Sequence, residues 1–85
     1  MIREFDDKFE ISFAAVGLSK DDINIEVVDN TLSIKAENDY YGKYNRLVYL
    51  SDYLDLDNIK AKVKDGLLTI DIPKSKENVR KILVE

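Results

Sequence analysis

Histidine and cysteine are both absent from this 85-residue chain. That removes imidazole acid–base chemistry, Ser-His-Asp triads and thiolate nucleophiles. It also removes the ligands that zinc sites normally draw on and any disulfide staple. Catalytic, cofactor-binding and metal residues are therefore all expected to be none. Glycine is scarce, and Gly17, Gly42 and Gly66 stand apart, so no glycine-rich phosphate loop is present. No apolar run approaches the ~18 residues that a membrane span needs. Met1-Ile2-Arg3-Glu4-Phe5-Asp6-Asp7 has no apolar stretch after its basic residue and does not read as a signal peptide. The cytoplasm is the default expectation, with no membrane partner. Cations are outnumbered by 13 to 17, giving a net charge of -4, which weighs against nucleic acid as a partner. Lys60, Lys62 and Lys64 share one strand face, where solvated charges also discourage edge pairing. Asp55 and Asp57 are the obvious carboxylate pair and read as part of a solvated acidic loop.

What the chain has in quantity is period-two alternation. Phe9, Ile11, Phe13 and Ala15 share one face against Glu10, Ser12 and Ala14, until Gly17 breaks the strand. Ile23, Ile25 and Val27 alternate with Asn24, Glu26 and Val28, Asp29-Asn30 signals a turn, and Leu32, Ile34 and Ala36 follow. Tyr40-Tyr41-Gly42 marks the next turn, after which Tyr44, Val48 and Leu50 share a face with Arg46. Residues 51–58 are aspartate-rich and read as a loop. Ile59, Ala61 and Val63 form another inward row. Asp65-Gly66 is a favoured hairpin turn, leading to Leu68, Ile70 and Ile72, and Pro73 ends that strand. Residues 74–78 read as a polar linker, and 79–84 as a short β-prone tail. A single helical turn is allowed after Ser19, a candidate N-cap, but no stretch has a sustained helical period. About six main strands plus a tail strand in one small domain predict an all-β, immunoglobulin-like β-sandwich. The expected organisation is a residual N-terminal arm over 1–7, a sandwich over 8–74 and a tail over 75–85.

Residues 61–68 carry a motif. Ala61-Lys62-Val63-Lys64-Asp65-Gly66-Leu67-Leu68 resembles the A-x-x-x-n-G-v-L signature of the small heat shock protein (alpha-crystallin domain) family. Asp55-Leu56-Asp57-Asn58-Ile59-Lys60 before it and Leu67 to Lys74 after it are similar to the flanking family segments. Phe13-Ala14-Ala15-Val16-Gly17-Leu18, Asp21-Asp22-Ile23, Leu32-Ser33-Ile34 and Ile82-Leu83-Val84 fall in the family's order, the last looking like its C-terminal I-x-I/V motif. Physical reasons accompany the signature residues. Gly66 supplies a positive φ, Ala61 is expected to be small where two sheets approach, and Leu68 to fill the core.

The resemblance implies an alpha-crystallin-type sandwich and an ATP-independent holdase of the stress response. Its partners would be unfolded client proteins and further copies of itself. A groove flanked by Ile23, Ile25 and Val27 on one strand and Ile59, Ala61 and Val63 on another would take Ile82 and Val84 of a tail, or a client segment. Arg46 falls at a strand arginine that the family often uses in a dimer-interface ion pair. The chain also departs from the family pattern. The first strand is expected to start at about residue 8, leaving little arm before it. The long swapped loop of bacterial and plant members is replaced by residues 38–43, too short to reach across a partner. A dimer or small oligomer is therefore expected. The other readings are an adaptor similar to the co-chaperone CS domain and a purely structural sandwich module.

Overall fold

The computed structural model describes residues 1–39, 42–75 and 82–85. The described residues form seven strands in chain order: β1 (Ile2–Glu4), β2 (Lys8–Ala14), β3 (Ile23–Val28), β4 (Thr31–Asn38), β5 (Gly42–Tyr49), β6 (Lys60–Lys64) and β7 (Leu67–Pro73). They form two antiparallel sheets, one of order β1-β2-β7-β6 and one of order β3-β4-β5. The all-β sandwich expected from alternation is the architecture observed. Two three-residue 3-10 turns, Lys20–Asp22 and Leu56–Asn58, carry the chain towards the next strand. Among the described residues no helix is long and apolar enough to cross a membrane.

Local chemistry sets the strand ends. Asp29 and Asn30 take φ of 48° and 63°, the paired positive angles of a two-residue hairpin turn, and Val28 pairs with Thr31 across it. Asp65 and Gly66 do the same at 53° and 75°, and join β6 to β7. The alternating rows then meet between the sheets. Ile11, Leu32, Ile34, Leu68, Ile70 and Ile72 are buried there, with Ala15 and Leu54 completing the cluster. Strands β2, β4 and β7 supply most of this core because they are flanked on both sides within their sheets.

Two segments differ from the sequence expectation. Residues 1–7, read as an arm, include β1, whose Ile2, Arg3 and Glu4 pair with Ile11, Glu10 and Phe9. Three residues are too few to show alternation, so the pairing is visible only in space. The aspartate-rich stretch holds buried Leu54, which forms a bridge with Lys74, while the Asp55 amide donates to the Pro73 carbonyl at 2.8 Å. The turn at Tyr40-Tyr41, the linker beyond Ser75 and the start of the tail lie outside the described residues.

Candidate binding groove

The site begins at the 3-10 turn before β3. Ser19 is its N-cap, and its backbone N–H donates to the Asp22 carboxylate at 3.0 Å. This bond, helped by the Asn38 amide, holds the Asp22 carboxyl below its ordinary range against the opposing effect of desolvation. Asn38 also donates to the Gly17 carbonyl at 2.9 Å. The end of β4 is thereby tied to the turn that launches β3, and this places Lys20 and Ile23 at one mouth of a groove.

The opposite wall is set by the turn after β6. The Ala15 amide donates to the Gly66 carbonyl at 2.8 Å, so the β6–β7 hairpin is pinned to the end of β2. A side chain on Gly66 would come within 3.0 Å of a Val16 methyl, so the turn needs glycine for space as well as for φ. Leu68 beside it is buried in the core, as expected.

Between these walls lies a groove of about 210 Å³, lined by Ile23 and Ile25 of β3, Ala61, Lys62 and Val63 of β6, with Leu68 as floor and Lys20 at the rim. Both walls are edge strands. In a two-residue hairpin the closing pair is hydrogen-bonded, and bonding then alternates along each strand. Val28–Thr31 and Lys64–Leu67 are such closing pairs. The N–H and C=O groups of Ile23, Ile25 and Val27 therefore point away from β4, and those of Ala61 and Val63 away from β7. Among the described residues no strand pairs with these two edges, so the groove presents apolar side chains and open backbone together, which suits an extended peptide with apolar residues two apart.

Of the six predicted wall residues, Ile23, Ile25, Ala61 and Val63 line this groove, whereas Val27 and Ile59 do not. Ile59 packs against the core instead, just before β6 begins. Ala61 was expected to sit where the sheets close together and is in fact exposed, because the two edges stand apart and leave the groove open. Lys20 was missed by sequence reasoning, since its place depends on the fold of the preceding turn. Ile82 and Val84 of the tail are each 88% exposed, so neither is seated in its own chain's groove. Arg46 is exposed on β5, with its guanidinium 5.7 Å from the centre of the Tyr44 ring, and makes no ion pair among the described residues.

The sequence pattern of the Hsp20/alpha crystallin family matches residues 1–85. The chain belongs to this family. Among curated relatives it is 35% identical over 104 residues to the mitochondrial 26.5 kDa heat shock protein of Arabidopsis thaliana, covering 99% of this chain and 45% of that protein. It is 36% identical over 90 residues to the mitochondrial heat shock 22 kDa protein of Glycine max, covering 96% and 43%. The chain thus spans less than half the length of these relatives. Among solved structures, a small heat-shock protein from Xylella fastidiosa superposes with a TM-score of 0.84 at 29% identity, covering 100% of this chain and 93% of that one. Heat shock protein 16.0 from Schizosaccharomyces pombe shares the fold at a TM-score of 0.80 and 21% identity, covering 100% and 80%. The alpha-crystallin sandwich implied by the Ala61–Leu68 signature is therefore the fold of this chain.

Proposed function

We propose that this Hsp20-family chain is an ATP-independent holdase that binds apolar segments of unfolding proteins and prevents their aggregation. One observation carries the reading. The same chain holds an apolar groove with open strand edges and an exposed tail with Ile82 and Val84 two residues apart. Side chains two apart lie on one side of an extended segment, so both would enter the groove together. The stretch from Pro73 to Ile82 spans roughly 30 Å when extended, enough to reach a neighbouring copy. The tail would cover the groove reversibly, and its departure would offer the same surface to a client. Burial and backbone pairing do the work, and no chemical step is required. The heat shock names of the relatives support this reading.

Arg46 is proposed as an interface charge, since among the described residues it meets a ring and no carboxylate. The cytoplasm is the proposed compartment. An organelle is the second reading, because several relatives carry mitochondrial or chloroplastic names. The test is light scattering from a heat-labile globular protein with and without this chain, in the absence of ATP. Suppressed scattering is expected, and scattering unchanged at equimolar chain overturns the reading.

A further inference from the structure

We infer, resting on the groove proposed above as the client surface, that the lysine row of β6 makes it select extended segments in which acidic residues alternate with apolar ones. Lys60, Lys62 and Lys64 are all exposed, and among the described residues none of them is in an ion pair. Across the sheet Lys62 faces Thr69 and Lys64 faces Leu67. Lys60 faces Asp71, whose carboxylate already lies 3.5 Å from the Lys8 ammonium. Three cations thus stand along the outer side of one wall, and Lys20 adds a further positive charge at the rim. Such a row keeps one positively charged edge from another. An acidic strand meets no such repulsion.

Strand geometry turns the row into selectivity. The N–H and C=O groups of Ala61 and Val63 point away from β7, so an incoming segment bonds along β6. Its side chains alternate, and neighbours on adjacent strands share a face. Residues that enter the groove therefore lie beside Ala61 and Val63, and the residues between them lie beside Lys60, Lys62 and Lys64. This holds for either direction of the segment. Opposite charges facing each other across strands attract, and like charges repel. The other wall offers no such attraction. The outer side of β3 carries Asn24, Glu26 and Val28, and the Asn24 amide donates to the Glu26 carboxylate at 2.9 Å. The net charge of -4 opposes an acidic ligand at long range, so a preference for acidic segments has to come from this row. The chain's own tail is not the best occupant. Around Ile82 and Val84 it carries Lys81, Leu83 and Glu85 in the alternate positions. Beside the row, one like charge and one opposite charge cancel. A segment with acidic residues at these places displaces the tail.

Three labelled peptides with capped ends test this: Glu-Ile-Glu-Val-Glu, Ser-Ile-Ser-Val-Ser and Lys-Ile-Lys-Val-Lys. They are titrated by fluorescence anisotropy into Ile82→Ser/Val84→Ser, where the tail does not compete. In roughly 10 mM salt the acidic peptide is expected to bind about ten-fold more tightly than the lysine peptide, with the serine peptide between them. In roughly 1 M salt the spread is expected to shrink to within about two-fold. With Lys60→Gln/Lys62→Gln/Lys64→Gln added, the acidic preference is expected to vanish while the serine peptide binds as before. Lys35→Gln, on the other sheet, is expected to leave the preference in place. Equal binding of all three peptides, or a preference that survives the triple substitution, overturns the selectivity and leaves the groove reading standing. No binding by any peptide overturns both. Lys81→Glu in the otherwise intact chain makes the tail a stronger competitor and is expected to weaken apparent binding of the acidic peptide. Unchanged affinity there overturns the competition with the tail.

Discussion

Leu67 and Leu68 are adjacent on β7, and the pleat sends them to opposite faces. Leu68 is buried among the core cluster, whereas Leu67 is exposed on the outer face beside Ala14 and Lys64. Leu68→Ala removes core contacts and leaves a cavity, so it should cost about 2–5 kcal/mol, while Leu67→Ala should stay within about 1 kcal/mol. Urea melts of the two variants check this, and equal losses would mean that the faces are reversed. One residue earlier, Gly66 has a φ of 75°, and an added Cβ there would lie 3.0 Å from a Val16 methyl. Gly66→Ala should cost about 1–2 kcal/mol from the left-handed backbone alone, with the Val16 contact adding to it. The same melts test it, and Asp65→Gly at the neighbouring positive φ is the control, since it relieves strain. Asp22 gives a pH dependence at the groove mouth. Its carboxyl pKa is lowered from 3.8 chiefly by the Ser19 backbone N–H. A depressed folded pKa stabilises above the unfolded value and is lost as pH falls through the folded one. The Ser19 amide resonance should therefore hold constant down to about pH 4 and move below it. In Asp22→Asn that step should vanish.

At the scale of elements, the tail and groove carry the main prediction. Seating Ile82 and Val84 buries two aliphatic side chains, a gross gain of about 3–6 kcal/mol before the cost of ordering the tail. The net contact should be weak and reversible. Ile82→Ser/Val84→Ser should leave the thermal melt of the sandwich in place and raise binding of an apolar dye, because the groove stays open. An unfolded double variant would make the tail a core strand, and unchanged dye binding would mean that it never covers the groove. The legibility of these elements in the sequence follows their burial. Strands β2, β4 and β7 each have one face buried and one solvated, so Ile11, Leu32, Ile34, Leu68, Ile70 and Ile72 could be placed inside from alternation alone. The turns at Asp29-Asn30 and Asp65-Gly66 were legible because positive φ restricts residue choice. β1 was not, since three residues hold no pattern, nor was Leu54, whose burial depends on a bridge to Lys74 twenty residues later. The groove was expected from the family resemblance and four of its six expected residues line it, while Ala61 shows the limit of strand phase: an inward face on an edge strand can open onto a groove.

For the whole molecule, the connection between β4 and β5 decides how copies meet. Asn38 pairs directly with Gly42, so these strands form a closed hairpin in which no segment is long enough to cross to a partner. The β4–β5 connection therefore offers no strand for exchange between subunits. The proposed tail contact would join unlike surfaces, a tail of one copy to the groove of another, and would extend an assembly until geometry closes it. It inserts two side chains from an extended segment, so it should fail on dilution. Multi-angle light scattering over a dilution series should show the mass of a small oligomer falling. Ile82→Ser/Val84→Ser should begin at the lower mass. A homogeneous particle above about twelve chains that resists dilution would contradict the expectation of a small oligomer drawn from hairpin length.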